Sequence, residues 1–314
     1  MLEYMTYVII ACILDLFLKD PVCWPHPVVG IGKIIGWLEG FFLKFNKYPY
    51  FLGFSSVISL SVLIYYGVKF LISIPRVGWI FFIYLGFAGL AFGSLLREGK
   101  KVFNAILRED LEDAREKLGY LVSRDTSKMD FLEVKKALIE TMSENFNDGF
   151  LAPWFYFLIG GPSWLWVYKV VSTFDSMWGY KVKHYHKLGF FAAKLDDCLA
   201  YFPARFSAFV FWLVGIINEN YFSLKVVQKE ASQLQSPNAG WPMSAMAYLL
   251  GIELGGKNIY FDKIVNKPLL GVKGVYPQNI HLERMFAFLN FAWGITIVFS
   301  LLILSSVILI FHYC

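Results

Sequence analysis

Apolar residues in this chain run in blocks as long as a bilayer is thick. A spanning helix needs about 20 apolar residues, and 51–74 (FLGFSSVISLSVLIYYGVKFLISI), 77–96 (VGWIFFIYLGFAGLAFGSLL) and 286–313 meet that need. Pro75 and Arg76 leave only a tight turn between the first two, which predicts a helical hairpin. Two further blocks, 150–173 and 198–217, are long enough to span but interrupted: the first by Gly160, Gly161 and Pro162, the second by Pro203 and Arg205. An intramembrane Arg costs several kcal/mol unless paired or facing a cavity, and broken helices at membrane depth are tolerated where they line a site. Four to six spans follow, depending on whether these two blocks cross or re-enter.

Between Arg97 and Gly149 the pattern changes, with ten basic and twelve acidic residues. Phe103, Leu107, Leu111, Ala114, Leu118 and Leu121 recur at spacings of three and four, which predicts an amphipathic helix. Asp130 followed by Glu133 predicts the capping box of a second helix. Loops 19–50, 97–149 and 218–285 carry 4, 10 and 7 basic residues and fall on one side if every block spans. The positive-inside rule makes that side cytoplasmic. The expected fold is therefore an all-α polytopic membrane bundle with broken or re-entrant helices. Residues 1–314 form one embedded domain, with 97–149 a cytoplasmic helical excursion.

Composition agrees: 57% of the 314 residues are hydrophobic and 17% charged, against 45–50% and about 25% in soluble domains. The net charge of +5 comes from interleaved charges, so no nucleic-acid-binding stripe stands out. Cys12, Cys23, Cys198 and Cys314 are too scattered for a disulfide framework or a zinc site.

Candidate chemistry lies at the ends of the apolar blocks. In ETMSENFNDGFLAP, Glu140, Glu144 and Asp148 recur every four residues, so a helix would set them on one face, with Asn145 adding an oxygen ligand. A solvated acidic face is the plain alternative, but the run ends where an apolar block begins, a place better suited to carboxylates facing magnesium or a phosphate-bearing substrate. In KVVSTFDSMWGYK and GFFAAKLDDCLAYFPAR, Asp175, Asp196 and Asp197 are further hard-oxygen ligands, while Lys181, Lys194 and Arg205 supply positive charge. Phosphate transfer needs both kinds of group. Asp148, Asp196 and Asp197 are the metal-ligand candidates. His184 and His186 form an HxH with no evident third ligand. Asn238, in the SPNAGWP turn before a helix rich in small residues, suits an anion. GIELGGKN nearly matches a phosphate-binding loop, but Asn258 replaces the Ser or Thr that would hold magnesium.

Taken together, DLFLKDP, PHPVVGIGKII, the Arg124-Asp125-Thr126 triplet, ETMSENFNDGFLAP, FDSMWGYK, KLDDCLAYFPAR and SPNAGWP resemble, in order, the membrane-bound adenosylcobinamide-phosphate synthase family of cobalamin biosynthesis. Lys19, Ser123, Ser172 and Ala200 depart from the family pattern. The resemblance implies a multi-pass protein of the cell membrane that joins adenosylcobyric acid to (R)-1-amino-2-propanol O-2-phosphate, using ATP and Mg²⁺. It adds Arg124 to the substrate or phosphate contacts and leaves room for association with other membrane corrinoid enzymes. A corrinoid-binding scaffold or transporter without catalysis is the alternative, since transporters also have broken helices.

Overall fold

A computed structural model of the protein describes residues 2–20, 26–45, 48–179, 186–260 and 263–313. In chain order the elements are α1 (Leu2–Leu18), α2 (Pro27–Phe45), α3 (Pro49–Ser73), α4 (Gly78–Gly89), α5 (Phe92–Leu107), α6 (Leu111–Gly119) and α7 (Phe131–Asn145). A π-helical turn (Phe146–Leu151) leads into α8 (Ala152–Trp178), α9 (Phe190–Leu199), α10 (Tyr201–Ile217), α11 (Leu224–Ala231) and α12 (Gly240–Leu250). A hairpin of β1 (Glu253–Tyr260) and β2 (Lys263–Gly271) precedes α13 (Asn279–Tyr313). The chain divides into two compact units, one of Met1–Ala91, Ala152–Ala200 and Ser300–Cys314, the other of Phe92–Leu151 and Tyr201–Phe299.

In the first unit α8 is the spine, packed against α2, α3, α4 and α9. Its expected break is real: Gly161 has φ 68 and Pro162 follows, so the helix stops and restarts. Trp166 donates to Leu85 O at 3.0 Å and Tyr4 to Phe157 O at 2.7 Å, binding α8 to α4 and α1. Gly89 lets α4 approach closely, because a Cβ there would sit 1.9 Å from Leu165 Cδ2. The expected hairpin joins α3 to α4 through Arg76, at φ 67. Leu63 and Phe70 on α3 are 66% and 68% exposed, an apolar surface that suits lipid rather than water.

Three stretches are long and apolar enough to cross a membrane: Pro49–Ser73, Gly78–Leu107 and Asn279–Ile303. Phe190–Leu199 with Tyr201–Ile217 makes a fourth if that broken pair is one span. These include all three uninterrupted blocks of the sequence.

In the second unit the amphipathic pattern across 103–121 is two helices rather than one. Glu109 takes φ 57, and the Asp110 side chain accepts from Asp113 N at 3.0 Å to start α6. The pattern survives the break because α6 packs back on α5. At α7 the capping box is present as expected, with Asp130 and Glu133 each accepting from the other's backbone N–H at 2.8 and 2.9 Å. Phe146 and Phe150 fix the π turn. Both are fully buried, and the Phe146 ring lies 5.0 Å from Phe211 and 5.9 Å from Phe92.

The β hairpin is the one departure among the described residues from an all-helical architecture. GIELGGKN therefore enters a strand, with a bulge between Leu254 and Gly256 and with Gly255 and Gly256 at φ 80 and 96. Three carboxylates anchor the hairpin through backbone N–H groups. Glu140 accepts from Gly255 at 2.9 Å, Glu253 from Gly274 at 3.0 Å and Glu230 from Gly271 at 2.9 Å. Glu230 also accepts from Ser244 and Tyr248, at 2.8 and 2.6 Å, so it fastens α11, α12 and β2 together.

Candidate functional site

The second unit gathers charge around the last turns of α7. Arg124 Nη2 lies 2.6 Å from Glu140 Oε2, with both side chains buried. One helical turn on, Glu144 is half-buried beside this pair. Burial pushes its carboxyl above the ordinary glutamate range; Glu140 adds to the rise, while Lys267 and Arg124 oppose it. A carboxyl raised in this way is a stronger base than an ordinary glutamate.

The π turn carries the next two polar groups. Asn147 is 1% exposed; its amide donates to Asp148 Oδ1 at 2.7 Å and its own Oδ1 is buried without a partner. Insertion of such a turn into a helix is a frequent mark of a functional site. Asn145, in contrast, spends its amide on Thr141, donating to its carbonyl and hydroxyl at 2.9 and 3.0 Å. That pattern stabilises the end of α7.

Arg205 and Asn238, read separately in the sequence, meet. Arg205 Nη1 donates to Asn238 Oδ1 at 2.7 Å and to Tyr201 O at 2.9 Å. The guanidinium sits 3.5 Å from the Tyr201 ring centroid and 4.9 Å from that of Trp241. Its charge is held by aromatic faces and an amide oxygen.

In the first unit, Asp175 is raised to about 6 by burial and by the charge of Asp197. These two carboxylates are therefore close enough to feel one another. Asp20 and His26, from the first two motifs, lie 3.3 Å apart. Lys194 is exposed. Lys181 and His184 lie outside the described residues. Of the six carboxylates singled out in the sequence, Glu140, Glu144 and Asp148 belong to the second unit and Asp175, Asp196 and Asp197 to the first. Among the described residues, no three His, Cys, Asp or Glu side chains gather as a metal-ion cluster would.

Sequence reading missed Lys267, Glu230 and Glu253. Nothing in the isolated KPLLG stretch marks its lysine as a neighbour of Glu144, because the two are joined only by the hairpin. The Gly255-Gly256 pair was the available signal for a bulge.

The family model described as "CobD/Cbib protein" matches residues 8–289. The chain belongs to the CobD/Cbib family. It is 42% identical over 286 residues to "Cobalamin biosynthesis protein CobD" of Clostridium tetani, covering 87% of this chain and 90% of that one. Against the protein of the same description from Clostridium acetobutylicum the identity is 39% over 289 residues, 88% and 91% of the two chains. For that of Listeria monocytogenes serovar 1/2a it is 38% over 300 residues, 89% and 95%. No solved structure gives a significant match. Membership in the CobD/Cbib family gives the chain a role in cobalamin biosynthesis, and its long apolar helices make it a membrane protein.

Proposed function

We propose that this chain is an ATP-dependent amide-forming ligase of the cell membrane, which joins a carboxylate of adenosylcobyric acid to (R)-1-amino-2-propanol O-2-phosphate. The observation that carries the reading is Glu144, a carboxyl with a raised pKa that feels the charges of Arg124 and Lys267, in a chain of the cobalamin-biosynthesis family. A carboxylate and an ammonium ion form a salt in water, not an amide. Two changes are needed: the carboxylate oxygen must become a leaving group, and the ammonium must lose a proton.

Phosphoryl transfer from ATP to the corrinoid carboxylate would meet the first need, releasing ADP and leaving an acyl phosphate. Attack by the amine nitrogen on the acyl carbon would then form the C–N bond and expel phosphate. Glu144 would take the proton from the ammonium, a role its raised pKa suits. Arg205, held flat by Tyr201, Trp241 and Asn238, would present positive charge to phosphate oxygens.

Magnesium on a nucleotide usually needs only one or two protein carboxylates, because the phosphates and waters complete its shell. Asp148, which accepts from the Asn147 amide at 2.7 Å in the π turn of the same unit as Glu144 and Arg205, would supply such a carboxylate. A bound Mg²⁺ there would neutralise charge on the phosphates. The test is ADP release by the purified protein: release only when both the corrinoid acid and the amino alcohol phosphate are present supports the ligase. Corrinoid binding or passage across a vesicle membrane with no ATP turnover would favour the scaffold or transporter instead.

A further inference from the structure

We infer that Lys267, delivered by the β hairpin, binds the phosphate end of the amine substrate whose nitrogen Glu144 receives. The inference rests on the ligase reading above and adds to it a residue that fixes which amines are used. The geometry comes from three linked placements. Gly255 N donates to Glu140 at 2.9 Å, which ties the bulge of β1 to α7 one turn before Glu144. Across the ladder, Gly256 pairs with Lys267, so the same tie carries the lysine of β2 to that end of α7. There its charge acts on the Glu144 carboxyl. The hairpin is not free to slide, because Glu230 also holds Gly271 at this open end, and Glu253 holds Gly274 just beyond β2.

A carboxylate and a lysine brought to the same end of α7 match a small molecule with an ammonium at one end and a dianion at the other. In a 1-amino-2-propanol 2-phosphate the nitrogen and phosphorus are separated by two carbons and an oxygen, about 4 to 5 Å with bonds of about 1.5 Å. A cation carried to the same end of α7 as the base is thus placed to meet the phosphate when the nitrogen is at the base. Arg124 is less suited to this task, as Glu140 engages its guanidinium at 2.6 Å. A lysine also suits a phosphate as a point charge.

The test compares KM values for the three substrates in wild type, Lys267→Met and Lys267→Arg, all reconstituted in lipid nanodiscs. Loss of one charge-assisted contact should raise KM for the amino alcohol phosphate by about tenfold or more. KM for ATP and for the corrinoid acid should stay within about twofold, and Lys267→Arg should recover most of the loss. Unphosphorylated 1-amino-2-propanol should react equally poorly with wild type and Lys267→Met. An unchanged KM for the phosphate ester, or a rise in the KM of ATP instead, overturns the assignment.

Calorimetric titration with the amino alcohol phosphate separates this inference from the ligase reading. If wild type makes no amide but binds the phosphate ester more tightly than Lys267→Met does, the ligase reading fails and the site stands. If binding is equal in the two, the site fails. Should Lys267→Met not fold, the same titration on Lys267→Arg and Lys267→Gln decides, with equal affinity in both overturning the charge requirement.

Discussion

Arg124 and Glu140 form a buried ion pair, Nη2 to Oε2 at 2.6 Å, with side chains only 7% and 3% exposed. Glu140 spends its other oxygen on Gly255 N, so one carboxylate joins the loop before α7 to the hairpin. Breaking a buried pair from one side leaves a charge without its partner and typically costs about 3 to 5 kcal/mol. Arg124→Met should therefore lower the thermal midpoint in detergent sharply. The double variant Arg124→Met/Glu140→Met should lose less than the sum of the single losses. Strict additivity would show that the two side chains do not depend on each other.

Asp175 gives a pH dependence whose sign follows from its environment. Its pKa rises from 3.8 to about 6, so between those values the native state holds more protons than the unfolded chain. Stability then falls as pH rises through that window, and the full cost is present above about 6. Asp175→Asn removes the cost: its thermal midpoint should exceed that of wild type at pH 7, with the gap closing toward pH 4. Parallel pH profiles for the two proteins would contradict the account.

Gly271 closes β2 at φ 84, where a Cβ would lie 2.2 Å from Ile252 O and 2.6 Å from Ala247 Cβ. The chain must move to admit one, and that motion loosens the hydrogen bond to Glu230. Gly271→Ala should destabilise by more than about 1 kcal/mol, read as a lower midpoint and faster proteolysis between α12 and α13. A midpoint equal to wild type would mean that the hairpin end can shift freely.

The excursion of 97–149 is expected on the cytoplasmic side, from its ten basic residues and those of the loops that share its side. Glu112 on α6 has an 84% exposed side chain, so a Glu112→Cys variant offers an accessible thiol. A membrane-impermeant maleimide should leave it unlabelled in intact cells and label it after lysis. Labelling from outside would reverse the topology.

Long-range order in the chain was legible wherever the signal is local. The spans follow from runs of apolar residues, the α8 break from Gly160, Gly161 and Pro162, and the α7 start from Asp130 and Glu133. The split of 103–121 was not legible, because α5 and α6 keep one apolar period across a turn whose only mark is Asp110. The hairpin was hidden for a different reason: ELGGKNIY has no clean alternation, and its pairing depends on carboxylates from α7 and α11. Among the candidate residues, Glu140 and Arg124 meet, as do Arg205 and Asn238. Asn145 is absorbed in helix termination, which its residue type alone could not reveal.

The most direct measurement is mass spectrometry of the corrinoid after incubation with the purified protein, ATP, magnesium and (R)-1-amino-2-propanol O-2-phosphate. The account predicts a new species heavier than adenosylcobyric acid by the amino alcohol phosphate less one water, formed with one ADP per amide and lost in Glu144→Gln that remains folded. Recovery of adenosylcobyric acid unchanged, with every substrate present and the protein folded in lipid, would contradict it.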